Sequence, residues 1–147
     1  MKSILQILAT LACALALTAC GGNDDAPVTT PAPEVVTKTD LAVGTGIEAI
    51  AGDVVTVAYT GWLEDKTKAD SKGTQFDQAT AASPFTFQLG KGTVIAGWDQ
   101  GVPGMRVGGK RRLSIPASLG YGAVAQGDKI PANSTLIFEI EMLAIKR

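Results

Sequence analysis

The sequence predicts an α+β fold: a curved antiparallel sheet of five to six strands, a half-barrel, wrapped around one short helix. Several segments alternate apolar and polar residues and are rich in β-branched side chains, the period-two signature of strands buried on one face. Only the segment around Trp98 is a credible helix, and Gly90, Gly92, Gly97, Gly101 and Gly104 leave room for about two turns between breakers. One helix for about five strands, joined by Gly-rich turns, implies strands that pair antiparallel and curl over that helix.

The chain of 147 residues is sized for one domain. Its start reads as something else. Lys2 supplies a positive end and Ile4 to Leu17 is an apolar run, the pattern of a secretory signal. That run is short against the roughly 20 residues needed to span a bilayer. Leu17-Thr-Ala-Cys20 resembles the lipobox of bacterial lipoproteins, which implies cleavage before Cys20 and a lipid on its sulfur. Residues 1–19 are therefore expected to be a lipoprotein signal peptide. Residues 20–35, with Gly21, Gly22, Pro27, Pro31 and Pro33 among Thr and Asp, read as an extended tether too polar to pack. The folded domain is expected over 36–147. The expected location is the cell envelope, lipid-anchored; Gly21 rather than Asp after the cysteine points to the outer membrane, facing the periplasm.

Within the domain, Asp53 to Trp62 alternates and places Val55, Val57 and Tyr59 on one face of a strand. Glu64 to Gln75 is charged, lacks apolar periodicity, and reads as a solvated loop or hairpin extension. Pro84 to Leu89 is a second strand with Phe85, Phe87 and Leu89 together. The Trp98 helix follows, then a strand at Arg111 to Ile115. The longest strand runs from Thr135 to Ile145, with Leu136, Phe138, Ile140 and Met142 on one side and Glu139 and Glu141 on the solvated other.

Composition excludes several chemistries. The chain has no histidine, so neither a Ser-His-Asp nor a Cys-His nucleophile system can be built. After processing, Cys20 is the one cysteine left, and its acylation leaves no disulfide and no thiolate cluster for a metal. Loss of Lys2 moves the formal net charge from −1 to −2, which argues against a nucleic-acid footprint and against polybasic membrane binding. No metal and no cofactor is expected.

Two glycine motifs fail on context. Gly44-Thr-Gly46-Ile-Glu-Ala49 spells a dinucleotide fingerprint, but a turn into a strand follows where the pyrophosphate needs a helix N-terminus. Gly104 to Arg111 follows a phosphate-loop pattern until Arg111 stands where Ser or Thr should hold magnesium, and a strand follows again. The acidic pairs Asp24-Asp25, Glu64-Asp65 and Glu139/Glu141 read as solvated surface.

Two tryptophans, two tyrosines and four phenylalanines remain. A large aromatic on so short a helix as that of Trp98 needs other elements to close around it, either as core or as the floor of a pocket. Val57-Ala-Tyr59-Thr-Gly-Trp-Leu63, Phe76-Asp77, Pro84-Phe85-Thr-Phe87-Gln-Leu-Gly90, Val94-Ile95-Ala-Gly-Trp98, Met105-Arg-Val-Gly108, Ile115-Pro116, Tyr121-Gly-Ala123, Ile130-Pro131 and Thr135-Leu-Ile-Phe138 resemble, in order, the FKBP-type peptidyl-prolyl isomerases. The resemblance spans about residue 36 to the end of the chain. It implies a pocket between sheet and helix, floored by Trp98 and lined by Tyr59, Phe76, Asp77, Phe85, Val94, Ile95, Tyr121, Ile130 and Phe138.

The implied catalytic set is Tyr59, Asp77 and Tyr121. The Ile95 amide and the Tyr121 hydroxyl are expected to donate to the bound peptide, and Asp77 to hydrogen-bond Tyr59 beside the twisting amide. The implied binding set is Phe76, Phe85, Val94, Ile95, Trp98, Ile130 and Phe138. Three departures stand out. Residues 64–75 are longer than in minimal members, 78–83 carry no arginine, and Gln126 and Lys129 make the rim polar.

The resemblance implies peptidyl-prolyl cis-trans isomerisation in exported proteins. The alternative is a non-catalytic chaperone or peptide-binding lipoprotein using the same pocket. Expected partners are proline-containing polypeptides, FKBP-directed macrolides and the membrane through Cys20. The expected state is a monomer.

Overall fold

A computed structural model describes residues 34–147. The expected signal peptide, the lipid-bearing Cys20 and nearly all of the tether lie outside the described residues. Among the described residues no helix is long and apolar enough to cross a membrane.

Six strands form one sheet: β1 Thr37–Ala42, β2 Val54–Glu64, β3 Lys72–Ala79, β4 Phe85–Gln88, β5 Lys110–Ile115 and β6 Leu136–Lys146. All pairings are antiparallel, in the order β1-β5-β6-β2-β3, with β4 also on β2. The helix α1 is Ala96–Gly101, and a 3₁₀ turn covers Ala117–Leu119.

Strand β2 is long enough to take two partners along one edge. Val54–Val57 pair with β4 and Tyr59–Glu64 with β3, while β6 runs along the whole of its other edge. Tyr59 therefore stands where the neighbour changes and the sheet edge opens.

One strand escapes the sequence reading, and a second appears there only as a loop or hairpin extension. Strand β1 is exposed at every position and has no apolar alternation; pairing with β5 and the ion pair from Arg111 to Asp40 hold it in place. Strand β3 begins at Lys72, inside the stretch read as a loop or hairpin extension, and forms the second arm of a β2–β3 hairpin. Only Phe76 of this strand is buried, so no periodicity announces it. The connection from β2 to β3 is a short hairpin turn, closed by the Asp65 N–H on the Ser71 carbonyl at 2.9 Å.

The core has the expected faces. Val55 and Val57 of β2, Leu113 and Ile115 of β5, and Leu136, Ile140 and Met142 of β6 are fully buried with Leu89 and Val102. Burial of each side chain of this size contributes on the order of 1.5–3 kcal/mol. The outer face departs from expectation at Glu139, which is not simply solvated. Its Oε1 accepts from Lys72 Nζ at 2.7 Å and Arg112 at 2.8 Å. The same lysine lies over the Trp62 ring, 4.6 Å from its centroid.

Helix α1 carries its glycines for a packing reason. Gly97 and Gly101, four apart, share the face that crosses β5. A Cβ at Gly97 would lie 2.4 Å from Ile115 Cγ2, and one at Gly101 would lie 2.5 Å from Leu113 Cδ1. These glycines, which read as breakers in the sequence, sit inside the helix and let it lie on the strand. That contact sets the depth of Trp98.

Candidate active site

Between α1 and the concave face of the sheet lies a cavity of about 280 Å³. Its lining gathers residues from nearly every element: Tyr59 from β2, Phe76 and Asp77 from β3, Phe85 from β4, Thr93, Val94 and Ile95 from the turn before α1, Trp98 from α1, Tyr121 from the loop after the 3₁₀ turn, and Phe138 from β6.

Trp98 is 3 % exposed and forms the floor. Rings of Tyr59 and Phe138 stand edge-on to it, with centroids 4.9 and 5.3 Å away at 88° and 87°. Phe76 meets Phe138 in the same fashion at 5.5 Å and 87°. Perpendicular packing sets the positive edge of one ring against the negative face of the next, and each pair adds about 0.5–1.5 kcal/mol beyond area burial. Phe85, more exposed, stacks on Phe87 at 5.6 Å and forms a wall at the mouth. The indole Nε1 of Trp98 is buried without a hydrogen-bond partner among the described residues, in keeping with its enclosure by rings.

Phe76 and Asp77 pose a geometric problem, because neighbours on a regular strand point to opposite faces. The ladder resolves it. Gly61 pairs with Asp77 and Trp62 with Gln75, so Phe76 is an extra residue, a bulge in β3. Asp77, opposite Gly61 and in unbroken register with the Tyr59–Ala79 pair, already faces the cavity, and the bulge brings Phe76 onto the same side. Gly61, opposite, makes room: a Cβ there would lie 2.7 Å from Phe76 Cζ and 2.8 Å from Phe138 Cε1.

The polar side of the cavity is small and tightly held. The Tyr59 hydroxyl donates to Asp77 Oδ2 at 2.5 Å, and the Gln78 N–H donates to Asp77 Oδ1 at 2.8 Å. Both carboxylate oxygens are thus engaged. Burial, then the hydrogen bond to Asp77 and its negative charge, push the Tyr59 hydroxyl well above the ordinary tyrosine range. Burial and the Asp77 charge also raise Tyr121. Both phenols remain protonated donors across the physiological range.

One residue assigned to the pocket packs in the same buried cluster as Trp98, Phe76 and Phe138 without lining the cavity itself. Ile130 is 6 % exposed, belongs to the core cluster, and is absent from the cavity wall. Its backbone pairs with Gln126 in both directions and closes the short 126–130 loop. Thr93, which sequence reasoning missed, lines the cavity and hydrogen-bonds the Gln88 carbonyl through Oγ1 at 3.3 Å. Its adjacency to Val94 was the one available signal.

Known proteins share this fold. A family profile described as FKBP-type peptidyl-prolyl cis-trans isomerase matches residues 46–143. An FK506-binding protein of Neisseria meningitidis serogroup B is 50 % identical over 106 residues, covering 72 % of this chain and 92 % of the relative. FK506-binding protein 2 of Dictyostelium discoideum is 50 % identical over 99 residues, covering 67 % of this chain and 70 % of that protein. Among solved structures, a peptidyl-prolyl cis-trans isomerase of Pseudomonas syringae pv. tomato superposes with a TM-score of 0.63 at 38 % identity, covering 76 % of each chain.

Proposed function

The chain belongs to the FKBP-type peptidyl-prolyl cis-trans isomerases, and from that premise we propose that it turns X-Pro bonds of exported proteins inside the cavity floored by Trp98. The observation that carries the reading is a ring-walled cavity with one engaged carboxylate at its side.

The chemistry asks for little more. Partial double-bond character gives the amide a barrier of roughly 18–20 kcal/mol, and an X-Pro bond turns unaided in tens to hundreds of seconds, roughly. No covalent bond breaks, so the absence of histidine costs nothing. Twisting removes resonance, and the carbonyl oxygen loses negative charge. A dry apolar site therefore disfavours the planar, more polar ground state and favours the twisted one.

Trp98, Phe76, Phe85 and Phe138 grip the proline ring and exclude water. With two donors on its oxygens, Asp77 stands as a fixed negative charge beside the ketone-like carbonyl carbon of the twisted amide. The Ile95 N–H and the Tyr121 hydroxyl hold the flanking peptide. FK506-like macrolides would occupy the same cavity and compete with the peptide.

The lipobox-like Leu17 to Cys20 supports attachment to the cell envelope, with the domain working on chains that have just crossed a membrane. Incorporation of a labelled fatty acid that disappears in Cys20→Ala tests the anchor.

The reaction is tested by cis-to-trans relaxation of a short X-Pro peptide. Acceleration abolished by FK506 is expected; relaxation at the uncatalysed rate overturns the reading.

A further inference from the structure

The turn that brings Thr93, Val94 and Ile95 to the cavity has little packing to hold it. Gly90, Lys91, Gly92 and Thr93 are exposed, and both glycines sit in the left-handed region at φ +74° and +65°. The Gly90 and Gly92 N–H groups share one side-chain acceptor. Asp99, the residue after Trp98 on α1, supplies it. Its Oδ1 accepts the Gly90 N–H at 2.9 Å and its Oδ2 accepts the Gly92 N–H at 2.9 Å. The Asp99 backbone N–H reaches the Ile95 carbonyl at 3.4 Å. One residue therefore binds the turn at its start, its middle and its end.

We propose that Asp99 is a positioning residue for isomerisation: its carboxylate fixes the turn so that Val94 and the Ile95 N–H face a bound peptide. The inference rests on the reading of the cavity as the site where the X-Pro bond turns. Trp98 is held separately, by the packing of α1 on β5, so the floor and the flanking donor are set by different devices. Loosening the turn should weaken the grip on the peptide and leave the turning of a bound amide nearly unchanged. Two acceptor oxygens are required. An amide side chain keeps the shape but presents an NH₂ group to one of the two N–H donors.

The test compares the full chain as wild type, Asp99→Asn and Asp99→Glu at a temperature where unfolding curves show all three folded. Peptide isomerisation gives KM and kcat, and the backbone ¹⁵N–¹H resonance of Ile95, without peptide, reports the geometry of the turn. Loss of one charge-assisted hydrogen bond should lower kcat/KM of Asp99→Asn about tenfold, mostly through KM, and shift the Ile95 resonance. Asp99→Glu, which keeps both acceptors, should lie nearer wild type in both measurements. Asp99→Asn with kcat/KM within about twofold of wild type, or with an unmoved Ile95 resonance, overturns the proposal. Should wild type itself prove inactive, the isomerase reading of the cavity fails, and the Ile95 resonance alone decides whether Asp99 sets the turn.

Discussion

Tyr59 Oη stands 2.5 Å from Asp77 Oδ2, although the residue directly opposite Tyr59 in the ladder is Ala79. The contact is diagonal: Asp77 pairs with Gly61, two residues along from Tyr59 in unbroken register, so both side chains fall on the same face of the sheet. Tyr59→Phe keeps the ring packing against Trp98 and frees one carboxylate oxygen. Isomerase activity should fall about tenfold, as expected for one hydrogen bond to a charged group, with stability reduced by about 1 kcal/mol. The measurement is kcat/KM beside urea unfolding.

The raised Tyr59 pKa adds a pH signature to the same pair. A folded-state pKa above the unfolded value contributes stability fully present below the ordinary tyrosine value, about 10, and lost as pH rises through the folded value. The stability difference between wild type and Tyr59→Phe should be flat from pH 7 to about 10 and change only above it. A difference that already changes near neutrality would place the titration on another group.

Gly61 and Gly97 answer to the same rule, each leaving room for a packed side chain. Gly97→Ala sets a methyl 2.4 Å from Ile115 Cγ2 and should lift α1 from β5, at a cost of about 1–3 kcal/mol. Pairing it with Ile115→Ala should cost less than the two single changes added together, because the second change removes the obstacle. Gly61→Ala should instead displace Phe76 or Phe138 and lower macrolide affinity with a smaller loss of stability. Calorimetry and ligand titration separate the two outcomes.

Glu139 should make a measurable share of the acid sensitivity. Burial favours its neutral form, but hydrogen bonds from Lys72 and Arg112, with their charges, win and hold its pKa below the usual glutamate range. A depressed folded-state pKa contributes stability above the unfolded value, about 4.3, that is lost as pH falls through the folded one. Glu139→Gln should cost about 1–2 kcal/mol at pH 7 and flatten the acid limb of the unfolding midpoint below about pH 4.5.

How much of this was legible in the sequence depends on what each residue must do. Val55, Val57, Leu136 and Ile140 bury one face of long strands, so period two reveals them. Strand β3 buries Phe76 alone, and β1 buries nothing, so their strand character rests on partners far along the chain. The bulge at Phe76 is a property of pairing, invisible to a single strand read alone. Gly97 and Gly101 look like breakers until Ile115 and Leu113 lie against them.

Arg111 joins the sheet edge to the helix that carries the floor. It is 9 % exposed. Its Nε and Nη2 meet the Asp40 carboxylate on β1, and its Nη1 donates to the Gly101 carbonyl at 2.9 Å and the Pro103 carbonyl at 3.0 Å. The last carbonyls of a helix lack intrahelical donors, and α1, at six residues, has little cooperativity of its own to hold its end. Arg111→Met keeps much of the side chain's length and apolar stem but strips both carbonyls and leaves Asp40 unpaired. The expected loss is about 3 kcal/mol, more than a surface ion pair contributes, because the carbonyl of the buried Gly101 loses its donor. Asp40→Asn removes only the exposed half of the pair and should cost under about 1 kcal/mol. If the two variants unfold at the same urea midpoint, the carbonyl contacts contribute nothing, and the end of α1 is held by the packing of Gly97 and Gly101 on β5 alone.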